Sequence, residues 1–166
     1  MRHILSILLE NEPGALSRIV GLFSQRAYNI DSLTVGPTDD NSLSRITITT
    51  QGDDRILEQI TKQVNKLVDV HKVIDLTESA HIERDLMLVK VMASEEKSRA
   101  AVTRVVDIFN ASILDMGKTS YTLQIVGAID KLESFVDTLK NETEVIEVVR
   151  SGAVGLTRGD KALKPK

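Results

Sequence analysis

The sequence contains no cysteine among its 166 residues. A disulfide framework, a thiol nucleophile and a thiolate metal site are therefore excluded. The chain also has no tryptophan, aromatic residues make up only 3% of it, and its net charge is −3. Recognition of nucleic acid usually requires a basic surface and aromatic side chains on which bases stack. We therefore expect no nucleic-acid partner.

The sequence also lacks a long apolar run. The N-terminal apolar stretch, Ile4 to Leu9, ends at Glu10, and it is too short for a signal peptide or a membrane span. Hydrophobic residues make up 42% of the chain and charged residues 27%, as in ordinary globular domains. Together with the lack of cysteine, this pattern predicts a cytoplasmic protein without membrane contact.

Apolar periodicity predicts the order βαββαβ in the first half of the chain. Between residues 14 and 26, apolar side chains recur with the i, i+3, i+4, i+7 spacing of a helix that buries one face. The remaining segments show the short, β-branched or alternating patterns of strands, and Gly52-Asp53-Asp54 is typical of a helix start. The predicted strands are Ile4 to Leu9, Ile30 to Val35, Leu43 to Thr50 and Val70 to Leu76.

The second half repeats this order with a less regular sequence. Its predicted elements are strands at Leu86 to Val91, Ile113 to Met116, Tyr121 to Val126 and Val145 to Val149, with helices at Glu95 to Phe109 and Ile129 to Leu139. We therefore predict an α+β fold of two ferredoxin-like units. The predicted boundaries are a first domain at 1–77, a polar linker at 78–84, and a second domain with a C-terminal tail at 85–166.

The loop between the first strand and the first helix is the strongest candidate for a binding site. It runs Glu10-Asn11-Glu12-Pro13-Gly14-Ala15-Leu16-Ser17-Arg18. A helix start leaves backbone N–H groups without intrahelical acceptors, here those of Gly14, Ala15 and Leu16, and the helix dipole favours an anion there. Our hypothesis is that these groups bind the carboxylate of a free amino acid. The side-chain amides of Asn11 and Asn29 can donate and accept, and we expect them to orient the ammonium.

Simpler explanations exist for each of these residues. Pro-Gly is common turn chemistry, Asn11 suits a helix cap, and Asn29 suits a turn. A helix start alone contributes about 0.3–1 kcal/mol to anion binding, whereas a ligand held at ~0.1 mM requires roughly 5–6 kcal/mol. An apolar pocket and both asparagines are therefore needed if the loop is a binding site.

The corresponding loop of the second half lacks these features. It runs Ala93-Ser94-Glu95-Glu96-Lys97-Ser98, without Pro-Gly and with two carboxylates where the carboxylate of a ligand would bind. Like charges repel an anion. We therefore expect only the first unit to bind an amino acid, and the second to serve assembly or contact with a partner.

No pattern in the sequence predicts catalysis, a metal site or a bound cofactor. The three histidines, His3, His71 and His81, have no i, i+4 partner, so structural roles are expected for them. Phosphate loops, zinc-ligand spacings and nucleophile elbows are absent from the sequence. An acylphosphatase-like enzyme on the same frame would carry an arginine within the first strand-to-helix loop, where this chain has Glu-Asn-Glu-Pro-Gly.

The loop on this frame resembles the ACT domain, a module that binds amino acids allosterically. Longer segments resemble the small, regulatory subunits of acetolactate (acetohydroxyacid) synthase. These segments are residues 8–18, Gln25-Arg26-Ala27-Tyr28-Asn29-Ile30-Asp31-Ser32-Leu33-Thr34-Val35, residues 57–63, residues 84–90 and Arg150-Ser151-Gly152-Ala153-Val154-Gly155-Leu156. The resemblance covers nearly the whole chain.

This resemblance implies a non-catalytic protein that stimulates a separate large subunit. That catalytic partner would hold thiamine diphosphate, FAD and magnesium, and the small subunit would make it sensitive to feedback inhibition by valine in branched-chain amino-acid biosynthesis. The resemblance also implies a homodimer with the ligand between two copies, so that Asn29 and Ile30 come from the neighbouring chain and Ile30 or Leu16 line the side-chain pocket. The alternative is an ACT-type sensor that regulates a different enzyme. The segment Arg150 to Asp160 favours the synthase, because ACT modules in general do not share it.

Overall fold

A computed structural model describes residues 1–165 of the chain. The chain forms two compact units. The first consists of Met1–Ile82 together with the segment that begins at Ala153, and the second of Glu83–Gly152. No helix within the described residues is long and apolar enough to cross a membrane.

The first unit is a four-stranded antiparallel sheet with two helices. Its elements are β1 (Arg2–Glu10), α1 (Ala15–Gln25), β2 (Ser32–Pro37), β3 (Leu43–Gln51), α2 (Asp54–Val64) and β4 (Val70–Asp75), followed by a short 3-10 helix, Leu76–Glu78. The strand order is β2-β3-β1-β4. The most apolar strand, β1, is thus central, whereas β2 and β4 are edge strands. The predicted βαββαβ order is confirmed.

Alternation along the strands gives this sheet two different faces. Leu5, Ile7 and Leu9 of β1 belong to a core cluster that also contains Ile19 and Phe23 of α1. The opposite face carries Ser6, Thr34 and Arg45. There, the Thr34 hydroxyl donates to the Ala153 carbonyl oxygen (2.8 Å), and Nη2 of Arg45 donates to the Gly155 carbonyl oxygen (3.2 Å).

The second unit repeats the architecture around its own core. Its elements are β5 (His81–Met92), which begins in the first unit, then α3 (Glu96–Ile108), β6 (Ser112–Met116), β7 (Ser120–Gly127), α4 (Ile129–Glu142) and β8 (Val145–Arg150). The strand order is β6-β7-β5-β8, and β9 (Val154–Thr157) pairs with β5. The α+β fold of two ferredoxin-like units is therefore confirmed.

The structure divides the chain differently from the predicted boundaries. Residues 78–84 were predicted to be a linker, but β5 begins at His81 and the division falls between Ile82 and Glu83. The predicted second domain extended to residue 166, yet the segment from Ala153 onward belongs to the first unit. The start of β5 is polar and shows no apolar periodicity, so the sequence did not predict a strand there. Backbone pairing, rather than burial of apolar side chains, orders these residues. The N–H of Arg158, for example, donates to the Ala80 carbonyl oxygen (2.9 Å).

The remaining differences are shifts at the ends of elements and one additional strand. Strand β2 begins at Ser32 rather than Ile30, and β4 ends at Asp75, so that the fully buried Leu76 opens the 3-10 helix. Helix α4 continues to Glu142, beyond the predicted end at Leu139. Strand β9 had no counterpart in the prediction.

Candidate functional site

The loop between β1 and α1 follows the last residue of the central strand. The Asn11 N–H donates to the Ser42 carbonyl oxygen (2.8 Å), and the Asn11 side-chain amide donates to the Asn41 carbonyl oxygen (3.2 Å). These bonds fix the loop to the two residues that precede β3. Because the side-chain bond uses the amide N–H group, Oδ1 of Asn11 can still accept a bond from an ammonium.

Gly14 is the residue at which the chain turns into α1. It is the N-cap and adopts the left-handed conformation with φ of 84°, which glycine adopts without the steric cost that a side chain would add. Asn11, considered above as a helix cap, does not cap α1. The start of the helix therefore carries no capping side chain, and its N–H groups face the loop.

One of the three N–H groups predicted to bind the carboxylate already has an acceptor. The Ala15 N–H donates to the Glu12 carbonyl oxygen over a long 3.3 Å, and the Ala15 side chain is buried in the core. Gly14 and Leu16 occupy the cap and the second helical position, where an N–H has no intrahelical acceptor. The predicted donor set is therefore strongest at Gly14 and Leu16.

Arg18 adds a positive charge that the sequence interpretation did not assign to the site. Its Nη1 lies 3.4 Å from the position that a Cβ of Gly14 would occupy. Its Nε donates to Oδ2 of Asp69 (2.9 Å), and Nη2 forms an ion pair with the same oxygen. The signal was available in the spacing, since residues i and i+4 of a helix start lie on the same side.

The mouth of the loop carries both signs of charge. Oε1 of Glu10 lies 2.7 Å from Nε2 of His71. The side chain of Glu12 is exposed. Arg18 and the N–H groups suit a carboxylate, whereas the acidic side chains suit an ammonium. The arrangement fits a zwitterion better than a simple anion.

Asn29 and Ile30 lie at the opposite end of the sheet from this loop. The hydroxyl of Thr50, near the end of β3, donates to the Asn29 carbonyl oxygen (2.5 Å). Asn11 instead binds the residues just before Leu43, where β3 begins. Seven residues of strand separate these two positions, and at about 3.4 Å per residue they are roughly 24 Å apart.

One chain therefore assembles only part of the predicted site. It brings Asn11, Gly14, Ala15 and Leu16 together, but it does not bring them to Asn29 and Ile30. The Asn29 amide donates to Oδ1 of Asp31 (2.9 Å), and Ile30 packs partly against its own core. A complete site would need the residues that precede β2 in another molecule.

The corresponding loop of the second unit has a different structure. At the start of α3 the Ser98 hydroxyl accepts from the Glu95 N–H (3.2 Å) and donates to the Glu95 carbonyl oxygen (2.9 Å). Arg99, the fourth residue of α3 as Arg18 is of α1, donates to the carbonyl oxygens of Ala93 and Lys118. The cap and the arginine of this loop are thus both engaged in hydrogen bonds within the chain. That only the first unit binds an amino acid stays a prediction.

A second concave region of the first unit lies between α2, β4 and residues 157–162. This groove of about 920 Å³ is lined in part by His3, Asp54 and Asp75. His3 contacts Oδ2 of Asp75 through Nδ1 (2.6 Å) and Oδ1 of Asp54 through Nε2 (2.9 Å). Within the described residues no group of three or more His, Asp or Glu side chains could hold a metal ion.

Two family models match the chain, one for each unit. Residues 5–72 match "AHAS small subunit-like ACT domain", and residues 84–159 match "Small subunit of acetolactate synthase". The chain is 56% identical to the acetolactate synthase isozyme 3 small subunit of Salmonella typhimurium and 54% identical to that of Escherichia coli. Each match covers 99% of this chain and 100% of the relative.

The fold is also similar to a solved structure. The crystal structure of the acetolactate synthase small subunit from Thermotoga maritima superposes with a TM-score of 0.82 at 36% sequence identity. The match covers 97% of this chain and 99% of that one. The similarity therefore includes both units and the segment after β8.

Proposed function

The chain belongs to the family of small, regulatory subunits of acetolactate synthase, and we propose that its first unit binds valine as a feedback effector between two copies of the chain. In this proposal the synthase activity resides in the large subunit, which holds thiamine diphosphate, FAD and magnesium. The small subunit stimulates that enzyme and makes it sensitive to valine. The observation that carries the proposal is the position of the two halves of the site at opposite ends of one sheet.

The sheet topology supplies a way to join these halves. Strand β2 is an edge strand, so the corresponding strand of a second copy can pair with it. β2 ends at Pro37, opposite Ser44 near the start of β3, and begins at Ser32, opposite Thr49 near the end of β3. Antiparallel pairing of two β2 strands would set the beginning of one beside the end of the other. Asn29 and Ile30 of one copy would then approach the Gly14 loop of its neighbour.

The chemistry of the joined site suits an aliphatic amino acid. The N–H groups of Gly14 and Leu16, with Arg18 beside them, would bind the carboxylate, and Asn11 with Asn29 of the second copy would bind the ammonium. Leu16 and Ile30 offer apolar surface for the side chain. Burial of a valine side chain adds about 1.5–3 kcal/mol to the about 0.3–1 kcal/mol of the helix start, and charge-assisted hydrogen bonds supply the remainder.

Regulation follows if valine favours one geometry of the paired first units. An effector shifts a conformational equilibrium only through its different affinity for the two states. Coupling energies between sites are typically about 1–3 kcal/mol, which corresponds to a change of about 5- to 150-fold in affinity. A ligand that bridges two copies has different affinities for different arrangements of those copies, because separation of the copies destroys its site.

Calorimetric titration of the full chain with valine, leucine, isoleucine, serine and glycine tests the proposal. We expect valine or another branched-chain amino acid to bind, and serine and glycine to bind much more weakly because they bury little apolar surface. Failure of all five to bind would contradict the proposed function.

Two substitutions at Gly14 test the position of the carboxylate. Asp and Asn both tolerate the left-handed conformation of this residue better than other side chains do, so Gly14→Asn controls for the backbone and for size. Gly14→Asp would place a carboxylate beside Arg18, where it competes with the ligand, and we expect at least about a tenfold greater loss of valine affinity than in Gly14→Asn. Equal affinities of the two variants would refute the assignment of the anion site.

A further inference from the structure

Asp69 directly precedes β4 and is held beside the start of the Gly14 loop. The strand register places Val70 opposite Leu9, and the N–H of Glu10 donates to the Asp69 carbonyl oxygen (2.7 Å). These backbone contacts fix Asp69 next to the end of β1, where the loop begins. The position of its carboxylate is therefore set by the pairing of the central strand with β4.

The Asp69 carboxylate occupies one edge of the Arg18 guanidinium. Nε of Arg18 donates to Oδ2 of Asp69 (2.9 Å), and Nη2 donates to the same oxygen. The third nitrogen, Nη1, lies on the Gly14 side, 3.4 Å from the position that a Cβ of Gly14 would occupy. Arg18 thus lies between a carboxylate of its own chain and the place proposed for the carboxylate of a ligand.

This ion pair leaves the proposed carboxylate site without a net positive charge. The charges of Arg18 and Asp69 cancel, so Arg18 and the N–H group of Gly14 offer hydrogen bonds but little attraction at long range. A ligand carboxylate would share one guanidinium with Asp69, well within the Debye length of about 10 Å at about 0.1 M salt. Because like charges repel, Asp69 opposes the binding of a simple anion.

An amino acid avoids this repulsion, whereas the corresponding α-keto acid does not. The two molecules have the same carboxylate and carbon skeleton, but only the amino acid carries an ammonium group. Asp69 repels the carboxylate of the amino acid and attracts its ammonium, and the two effects largely cancel because these groups are adjacent. The α-keto acid has only the repelled group. A pocket for the aliphatic side chain cannot distinguish the two molecules, since their side chains are identical.

We propose that Asp69 is a specificity-determining residue, which makes the site of the first unit select amino acids over the α-keto acids of the same carbon skeleton. The inference rests on the proposed function, since it takes valine to bind through Gly14 and Arg18. Asp69 does not need to touch the ligand, because its charge acts across the guanidinium of Arg18. A residue that only supported the fold of the loop would affect both ligands equally.

Competitive calorimetry on the full-length chain measures this selectivity. One titration gives the affinity for valine, and a second, in the presence of α-ketoisovalerate, gives the affinity for the α-keto acid with the carbon skeleton of valine. The test variant, Asp69→Asn, removes the charge and keeps a side-chain oxygen that can accept from Arg18. The matched control is Glu58→Gln on α2. It changes the net charge by the same amount and also removes a carboxylate from an ion pair, that with Lys62 (2.7 Å).

We expect the ratio of valine affinity to α-ketoisovalerate affinity to fall at least about threefold in Asp69→Asn, mainly because the α-keto acid binds more tightly. In Glu58→Gln the ratio should equal that of the wild type. A ratio that is unchanged in Asp69→Asn, or that falls equally in Glu58→Gln, would overturn the inference without contradicting valine binding. Loss of both ligands in Asp69→Asn would also overturn it, since Asp69 would then be needed for the fold of the site. If the wild-type chain binds no valine, the proposed function fails and the inference fails with it.

Discussion

At the residue scale, the start of α1 depends on two residues that act in opposite ways, Gly14 and Arg18. Gly14 has no side chain, which allows a left-handed turn and leaves room in front of the helix. Arg18 fills one side of that space with a guanidinium that is paired with Asp69. A carboxylate that enters would share Arg18 with Asp69. If the proposed site binds a carboxylate, Asp69 neutralises Arg18 while the site is empty.

His3 illustrates a different residue-scale effect, one that belongs to stability. Burial alone would lower the pKa of His3, but the hydrogen bonds to Asp54 and Asp75 outweigh it and raise the pKa above its usual value. The hydrogen bond from His3 also lowers the pKa of Asp54. His3 therefore connects the start of α2 to the end of β4.

The sign of this effect predicts a pH dependence. When folding raises the pKa of a group, protonation of that group stabilises the folded state. This stabilisation is fully present below the pKa of the unfolded state, about 6.5 for histidine. It is lost as the pH rises through the pKa of the folded state. We expect the unfolding free energy lost in His3→Gln to be larger at about pH 6 than at about pH 8.5, measured by urea denaturation. His81→Gln is the control, since that ring contacts the Ser79 carbonyl oxygen and not a carboxylate. A loss that is independent of pH would contradict the assignment of a charge effect to His3.

At the element scale, the first three α-helices of the chain start in different ways. Helix α1 begins at a left-handed glycine, whereas the Asp53 side chain accepts from the Arg55 N–H (2.8 Å) at the start of α2. Helix α3 uses Ser98 and Glu95. The aspartate at the start of α2 was predicted from the sequence because a cap needs only local residues.

The cap of α2 can be measured by substitution. Asp53→Ala removes the acceptor and should lower the free energy of unfolding by about 1 kcal/mol, within a usual range of about 0.5–2 kcal/mol. Asp53→Asn keeps an acceptor and loses only the charge, so its cost should be a few tenths of a kcal/mol at about physiological salt. Urea denaturation of the two variants shows whether the Asp53 side chain stabilises α2 as a helix cap. Equal destabilisation would show that the charge, not the cap, is what stabilises α2.

The elements that could be predicted from sequence are those whose cause is local. The buried alternation of β1, the helical spacing of Ile19 and Phe23, and the cap at Asp53 all depend on near neighbours. Strand β9 and the polar start of β5 depend on each other across more than 70 positions of the chain, as in the bond from Arg158 to Ala80. No local pattern carries that information.

The candidate site could likewise be predicted only where its cause is local. Its loop could be predicted from Pro13-Gly14 and the helix that follows, but the roles of Arg18 and Asp69 depend on a contact across 51 positions. The position of Asn29 at the far end of the sheet depends on the register of β3 with its neighbours. The expectation that Asn29 and Ile30 act on a neighbouring chain came from the family resemblance, and it remains a prediction.

At the scale of the whole molecule, the segment after Gly152 belongs to the first unit although it follows the second in sequence. It covers polar side chains that include the half-buried Arg45. Burial lowers the pKa of this guanidinium, and Nε of Arg45 donates to the Ser6 hydroxyl oxygen (2.6 Å). The first unit is therefore not complete in residues 1–82 alone.

Truncation after Gly152 tests this organisation. We expect faster amide hydrogen exchange in β2 and β3, because the Thr34 and Arg45 side chains lose their carbonyl partners and a buried face is opened to water. Exchange within α4 of the second unit should change much less. Unaltered protection of β2 and β3 would show that the segment after Gly152 contributes nothing to the stability of the first unit.

Subunit mixing shows whether the proposed amino-acid site is shared between two copies of the chain. Gly14→Asp damages the loop half of the site, and Asn29→Ala damages the second-strand half, so neither variant alone should bind valine at the wild-type affinity. In a mixed dimer one of the two sites combines an intact loop with an intact Asn29. After random exchange of equal amounts, half of the dimers are mixed, and calorimetry should recover about a quarter of the wild-type number of valine sites. No recovery of binding after verified exchange would contradict a site shared between two copies.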